Sequence, residues 1–272
     1  MDRSLGSDGS LRVVMVAEQA AEWSDPGGWG ARSIDGTQVG IDSLSGGEVD
    51  ERLAETDLLV TVGEGALLAA VRSRVELPIL AVSGPEGVES VSGAEVETAL
   101  DSVLDGNYTI DPLPTLSVRA DGASYRGLMD VMAVTSEAAK ISEYQVSRVV
   151  DGDEQVLDRI RADGMLAAAP AGTPGYGTAA GGPILGPDLR AVTVVPVGPF
   201  RIEQPHWVLK LPIRIRVVRE EVPVALLVDD QEVGSMAAGA AVTVDWGSPG
   251  RILRTPQSRS GVMGAGDDAT DA

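Results

Sequence analysis

The sequence contains no cysteine and a single histidine, His206. The absence of cysteine excludes disulfides, thiol catalysis and thiolate metal sites. No apolar run approaches the roughly 18 residues that a membrane-spanning helix needs. The N-terminal segment MDRSLGSDGS has no apolar signal-peptide core, so the sequence predicts a cytoplasmic protein.

Basic residues are scarce: 21 Lys and Arg stand against 41 Asp and Glu, and the formal net charge is -20 over 272 residues. Only Lys140 and Lys210 are lysines. A chain this acidic is not expected to bind nucleic acid, whose phosphates are neutralised by Lys and Arg, or an anionic membrane surface. Acidic excess with little lysine is typical of a high-salt cytoplasm, where salt screens the repulsion.

The first hundred residues alternate between apolar runs and helical patterns. Near-continuous apolarity at 58–62 indicates a strand that is buried on both faces. An apolar helix is predicted over 66–74, and a capping box at 92–95 opens a second helix. Strands alternating with helices imply a parallel α/β domain, which we predict over 1–105. The remaining predictions here are strands at 11–16 and 78–82, and a loop with a short element or two over 22–47.

After Tyr108 the apolar residues follow a period of two, which is typical of half-buried strands. Asp151-Gly152 is a hairpin signal. We therefore predict an all-β C-terminal sandwich domain over 106–254 and a disordered acidic tail over 255–272. The predicted strands are 141–146, 213–217, 222–228, 241–246 and 252–254.

A glycine-rich turn, Gly63-Glu64-Gly65, separates the buried strand from the helix that follows it. Glycine allows a sharp turn, and the free amides and dipole of a helix N-terminus attract anions. Phosphate binding is one interpretation of this pattern, with Glu64 acting beside a divalent metal or as a base toward a hydroxyl. The same residues also fit an ordinary strand-to-helix turn with an exposed glutamate.

Residues 162–183 combine a short strand with a loop that is dense in Gly, Pro and Thr. Small residues let a ligand approach the backbone. Tyr176 can stack on a base, and Asp163 can accept a hydrogen bond from an amide or a ribose hydroxyl. A flexible surface loop is the alternative, although this density of glycine within a β-domain disfavours it.

This segment resembles the nucleotide-binding loop of the NAD kinase family, G-D-G-x-x-x-S-T-P-T-G-S-T-A-Y-x-x-S-A-G-G-P, and aligns with it without a gap. The turn at 63–65 lies where the family has G-G-D-G, and residues 128–131 lie at its L-N-E-V element. Residues 227–231 are similar to its V-D-G-Q turn. The matching loop positions are Asp163, Gly164, Pro170, Gly172, Tyr176, Ala180, Gly181, Gly182 and Pro183.

The resemblance, to a divergent haloarchaeal-type member, implies a Rossmann-like parallel sheet in the α/β domain and an all-β sandwich that binds nucleotide. It implies phosphoryl transfer from ATP or polyphosphate to the 2′-hydroxyl of the adenosine ribose of NAD(H), with Mg²⁺ or another divalent metal on the donor phosphates. It also implies Glu64 as the catalytic residue and a homo-oligomer formed through the β-domain. The cofactor-binding residues that it implies are Gly63, Gly65, Asp130, Asp163, Gly172, Thr173 and Tyr176.

Several motif positions depart from the family pattern. The aspartate of G-G-D-G is Glu64, one methylene longer, and the first glycine is Val62. The asparagine of N-E is Met129, which lacks the hydrogen-bonding groups of an amide. Most loop hydroxyls are replaced by Ala or Pro, while Thr173 keeps one. Two interpretations stay open: an active kinase, or a catalytically impaired paralogue that binds NAD or another adenine nucleotide in a regulatory role.

A lipid or other small-molecule kinase and a structural scaffold are further alternatives. The gap-free loop argues against the first, and the density of glycine argues mildly against the second. His206 is either a ligand contact or a structural histidine. Arg214 and Arg216 are most simply the solvated face of a strand.

Overall fold

A computed structural model describes residues 5, 10–17, 34–41, 44, 53–137, 140–201 and 204–260. Within them, no helix has the length and apolar character required to span a bilayer. The elements are β1 (Leu11–Ala17), β2 (Ile34–Gly40), β3 (Leu58–Val62), α1 (Glu64–Arg72), β4 (Ile79–Val82), α2 (Val96–Leu104), β5 (Thr109–Leu113), β6 (Leu116–Ala120), β7 (Ala123–Gly127), β8 (Asp130–Thr135), β9 (Ser142–Val150), β10 (Asp153–Ala168), β11 (Val192–Pro199), β12 (Trp207–Leu209), β13 (Ile213–Arg219), β14 (Val224–Val228), β15 (Gln231–Met236), β16 (Ala241–Trp246) and β17 (Gly250–Arg254).

The chain divides into two compact units. The first comprises residues 1–113 and 249–272, and the second comprises residues 114–248. The predicted division at 105/106 differs from this partition because β5 and β17 both hydrogen-bond within the sheet of the first unit.

The first unit is an α/β layer built on a six-stranded sheet in the order β2-β1-β3-β4-β17-β5. Strands β1 to β4 and β17 run parallel, and β5 is antiparallel to β17. Helix α1 buries every residue from Ala66 to Val71, which is why this apolar stretch is helical. The prediction of an N-terminal α/β domain with a parallel sheet is confirmed.

Helix α2 follows a capping box, as the sequence predicts. The Ser92 hydroxyl and its backbone N–H both donate to Oε2 of Glu95, at 2.7 and 3.3 Å. These hydrogen bonds hold the pKa of Glu95 below its usual value. The box opens a short 3₁₀ turn at Gly93–Glu95, and α2 itself begins at Val96. One face of α2 is buried in the core of the first unit.

The second unit is an antiparallel sheet of eleven strands that encloses a large hydrophobic core, with a smaller cluster around Leu166, Ala168 and Val195. Nine strands form the path β15-β14-β8-β10-β9-β13-β16-β6-β7, while β11 and β12 extend from β10. The hydroxyl of Tyr125 on β7 donates to the carbonyl of Val233 on β15 at 3.1 Å, so the two ends of the path meet. The prediction of an all-β C-terminal domain is confirmed.

A polar network covers the face of β9, β10 and β13 opposite the core. Nη1 of Arg214 lies 2.8 Å from Oε2 of Glu154, and Nη2 of Arg216 lies 3.7 Å from the same oxygen. Ser147 is fully buried beneath this network, and Gln145 lies beside it. Arg214 and Arg216 thus lie on a strand face, as predicted, but they are half-buried and paired rather than simply solvated.

Three segments differ from their sequence predictions. Strand β2 lies within the predicted loop 22–47, most of which is outside the described residues. Strand β17 belongs to the α/β sheet and not to the β-domain. Residues 255–260, predicted as disordered tail, are ordered because Ser90 and Arg259 exchange backbone hydrogen bonds at 2.9 and 2.8 Å. Residues 261–272 lie outside the described residues.

Candidate functional site

The glycine-rich turn of the first unit leads from β3 into the N-terminus of α1. Gly63 adopts φ 87, a backbone conformation that favours glycine, and its N–H donates to the carbonyl of Val82 at 2.9 Å. Gly63 is the N-cap of α1, so no side chain at that position blocks the helix N-terminus. Glu64 is the first residue of α1 and is exposed, and Gly65 follows it. A carboxylate in the first turn also stabilises a helix through its dipole.

The other predicted site residues lie in the second unit, on and after β10. The first part of β10 pairs with β9, and from Gly164 onward it pairs with β8. A short 3₁₀ turn, Pro170–Gly172, and a π-type turn, Thr173–Gly177, follow. The predicted loop is therefore a compact folded segment.

Gly172 makes the closest approach in this segment. A Cβ at this position would overlap the carbonyl group of Met129, so only glycine fits here without a shift. The Ala169 N–H donates to the same Met129 carbonyl at 2.8 Å, and the Gly172 N–H donates to Ala169 at 2.9 Å. The segment after β10 is therefore held to the residue before β8 by its backbone.

Thr173 is fully buried, and its hydroxyl is engaged within the protein. It donates to the Pro170 carbonyl at 2.9 Å and accepts from the Leu185 N–H at 3.1 Å. These two bonds close the loop that joins the helical turns to residues 183–191. Its role in cofactor binding stays a prediction.

Asp130 is 4% exposed and is the first residue of β8, paired with Ala168 on β10. Because β8 and β10 are adjacent, the fold brings Asp130, Gly172 and Thr173 together around Met129.

Asp163 and Tyr176 occupy different surroundings. Asp163 lies where β10 changes partner, and its carboxylate occupies the space that a Cβ at Gly198 on β11 would need. Its carbonyl accepts a hydrogen bond from Tyr144, whose pKa burial raises. Tyr176 is 61% exposed, so its ring is accessible for stacking. The single histidine, His206, is exposed and close to Gly181: a Cβ at Gly181 would lie 3.2 Å from its Cε1.

Sequence reasoning did not single out Asp229. Its carboxylate accepts hydrogen bonds from three successive backbone N–H groups, those of Leu128, Met129 and Asp130. Burial raises the pKa of Asp229, and the three donors oppose that rise. The only sequence signal was the turn at 227–231, which resembles a family motif.

Comparisons with known proteins place the fold and the motifs in one family. Residues 129–249 match the ATP-NAD kinase C-terminal domain. The NAD kinase of Nitratidesulfovibrio vulgaris is 30% identical over 265 residues, which are 93% of this chain and 90% of that protein. The chain belongs to the NAD kinase family. The NAD kinase of Methanothermobacter thermautotrophicus is 31% identical over 189 residues, 67% of this chain and 65% of that one.

Two solved structures share the NAD kinase fold with this chain. Yeast NADH kinase complexed with NADH matches with a TM-score of 0.73 and 17% identity, covering 98% of this chain and 90% of that one. The NAD kinase from Archaeoglobus fulgidus in complex with ATP matches with a TM-score of 0.68 and 21% identity, covering 90% and 94%. At these identities the likeness shows the fold alone: an α/β N-terminal domain and an antiparallel C-terminal domain.

Proposed function

We propose that this protein is an NAD kinase that transfers a phosphoryl group from ATP or polyphosphate to the 2′-hydroxyl of the adenosine ribose of NAD(H). The observation that carries the proposal is the folded segment 162–183, packed through Gly172 against Met129, in a chain of this family. The names of its relatives and the NADH and ATP held by its structural neighbours support the proposal.

We assign the nucleotide contacts in the second unit to Asp130, Asp163, Gly172, Thr173 and Tyr176. Tyr176 has the exposed ring that stacking on a base requires. Gly172 is buried and its side-chain position is filled by the Met129 carbonyl, so its assigned contribution is the course of the backbone in this segment. The contact at Met129 is backbone, so the methionine replacing an amide leaves the shape of the segment intact.

We assign phosphate binding to Gly63 and Gly65 at the N-terminus of α1, and the catalytic role to Glu64. Within the described residues, no three His, Asp or Glu side chains cluster so that they could hold a metal ion by themselves. Mg²⁺ is usually held by substrate phosphates with one or two carboxylates, so an ion carried on the donor phosphates would need few protein ligands. Such an ion would neutralise charge on the transferred phosphoryl group. Glu64 orients the attacking 2′-hydroxyl and accepts its proton.

We also propose that the protein works in high salt and as a homo-oligomer formed through the second unit. The first proposal is supported by the net charge of -20 and by the two lysines among 21 basic residues. The second is supported by the family resemblance, and light scattering in molar KCl tests it. A single species with the mass of a 28.1 kDa monomer contradicts the oligomer.

A catalytically impaired paralogue that binds adenine nucleotides in a regulatory role is the second candidate. It is favoured by Val62 and Glu64 in the phosphate turn and by the internal use of the Thr173 hydroxyl. This candidate predicts that NAD binds and raises the melting temperature without being phosphorylated.

The deciding experiment measures NADP formed from NAD with ATP, or with polyphosphate, in molar KCl and Mg²⁺. Glu64→Gln is compared with Glu76→Gln, which removes an exposed carboxylate just after α1. We expect turnover in the wild type and in Glu76→Gln, and a loss of at least about a hundredfold in Glu64→Gln. Turnover that survives Glu64→Gln removes Glu64 as the base. Folded wild type without turnover favours the regulatory candidate.

A further inference from the structure

We propose that Asp229 is a positioning residue for the nucleotide-binding segment, acting through the backbone of Leu128–Asp130. The turn between β14 and β15 thereby sets the shape of the segment 162–183, more than forty residues away in sequence. The inference rests on the proposed function, because the segment is taken to be the NAD side of that site.

The first step is that one carboxylate accepts hydrogen bonds from three successive backbone amides. Oδ1 of Asp229 accepts from the N–H groups of Met129 at 2.7 Å and Asp130 at 3.1 Å. Oδ2 accepts from the N–H of Leu128 at 2.9 Å. In return, the Asp229 N–H donates to the Asp130 carbonyl at 2.9 Å. Hydrogen bonds to an ionised acceptor are shorter and stronger than neutral ones, so this backbone has one preferred course.

The second step passes from this backbone to the nucleotide-binding segment. With its N–H held by Asp229, Met129 directs its carbonyl to the Ala169 N–H at 2.8 Å. The same carbonyl packs against Gly172, where no Cβ fits. A shift of Met129 by a fraction of an ångström therefore moves Ala169 or opens a gap beside Gly172. Asp130, whose side chain is assigned to NAD, is held by the same carboxylate.

The third step concerns the residue type at this position. Asp229 adopts φ 53, a left-handed conformation that Asp and Asn tolerate better than most residues. An aspartate there supplies two acceptor oxygens on a short side chain. Asparagine fits the same backbone and volume but presents a single acceptor oxygen. Glycine fits the backbone and presents none.

The test uses this graded series, Asp229→Asn and Asp229→Gly, in the full chain. Asp230→Asn is the matched control, because it removes an exposed carboxylate from the same turn. Glu154→Gln is a second control that destabilises the same unit elsewhere, by breaking the ion pairs with Arg214 and Arg216. Steady-state kinetics give KM for NAD and for the phosphoryl donor, and the melting temperature reports stability.

We expect KM for NAD to rise about threefold in Asp229→Asn and about tenfold in Asp229→Gly, with the donor KM unchanged. A purely structural role lowers the melting temperature and the active fraction without moving either KM, as we expect for Glu154→Gln. The proposal is overturned if the NAD KM of Asp229→Gly matches that of Glu154→Gln, or if both substrates' KM values rise together.

The hydrogen-exchange rate of the Ala169 amide reports how firmly the segment is held, and its measurement does not require catalytic activity. We expect faster exchange there in Asp229→Gly than in Glu154→Gln, while the Val217 amide, bonded to Ala240 in the same unit, exchanges alike in both. A wild type that neither binds nor phosphorylates NAD refutes the proposed function alone. Unchanged exchange at Ala169 in Asp229→Gly refutes the role of Asp229, whatever the wild type does.

Discussion

At the scale of single residues, the segment 162–183, which we propose to bind nucleotide, owes its shape to backbone groups rather than to side chains. The Met129 carbonyl, the Ala169 N–H and the bare Cα of Gly172 form its central contact. None of these groups depends on a hydroxyl or an amide side chain. This explains how the segment folds although several positions that carry a hydroxyl in the family pattern are alanine here.

Thr173 is the exception, because its hydroxyl is used by the fold. We predict that Thr173→Val, which keeps the shape, lowers the free energy of unfolding by about 2 kcal/mol, since the buried Leu185 N–H and Pro170 carbonyl both lose a partner. Urea unfolding in molar KCl measures this change. Thr178→Val is the control: the half-buried Thr178 hydroxyl only donates back to its own turn, at 2.8 Å, and accepts from no buried amide. Equal effects of the two changes would show that the Thr173 bonds add nothing specific.

At the scale of elements, the strands predicted from the sequence are those whose burial produces a clear hydrophobic pattern. Strand β3 is apolar except for Thr61, and β16 alternates, so their predicted bounds agree with the structure. The first half of β10 is largely exposed and polar, and its extended form depends on pairing with β9. Strand β2 contains Gly, Thr and Asp and depends on its parallel partner β1. Pairing between distant residues leaves no periodic signal, so these elements were missed or shortened.

The ion-pair network on β9, β10 and β13 predicts a specific response to acid. Burial acts to raise the pKa of Glu154, but the Ser147 hydrogen bond and the charges of Arg214 and Arg216 outweigh it, so the pKa is lowered. A folded-state pKa below the unfolded value means that this stabilisation is complete above about pH 4.3 and is lost as pH falls through the folded pKa.

We therefore predict that Glu154→Gln is less stable than the wild type at pH 6 and that the difference shrinks as the pH falls below about 4.3. Urea unfolding across this range measures the difference. Glu232→Gln, which removes an exposed carboxylate on β15, is the control and should differ little from wild type at any pH. A difference that stays constant down to pH 3 would mean that the carboxylate charge does not stabilise the network.

At the scale of the whole molecule, the chain path explains why the domain division was misplaced. Composition changes near Tyr108, and a boundary was predicted there. The chain nevertheless adds β5 to the first sheet before it enters the second unit, and it returns at β17 to pair with β4 and β5. When a strand pairs with a partner more than a hundred residues earlier in the chain, its own sequence does not indicate which strand that partner is. The proposed site shows the same limit: its glycines and acids are predictions from the sequence, whereas Asp229 was identified only from the structure, in which β14 lies beside β8.

The net charge of -20 makes a prediction for the molecule as a whole. Like charges on a compact chain repel one another more than on an unfolded one, and salt shortens their range to about 3 Å at 1 M. We predict that the melting temperature rises between about 0.1 and 1 M KCl, where the screening length falls from about 10 to about 3 Å, and flattens above that range. Thermal unfolding followed by circular dichroism measures this curve.

Potassium sulfate at equal ionic strength separates screening from the exclusion of salt from the protein surface, because sulfate is the more strongly excluded ion. Coinciding curves for the two salts support screening. A melting temperature that is independent of KCl, or that rises only with sulfate, would show that the acidic surface is not what limits stability.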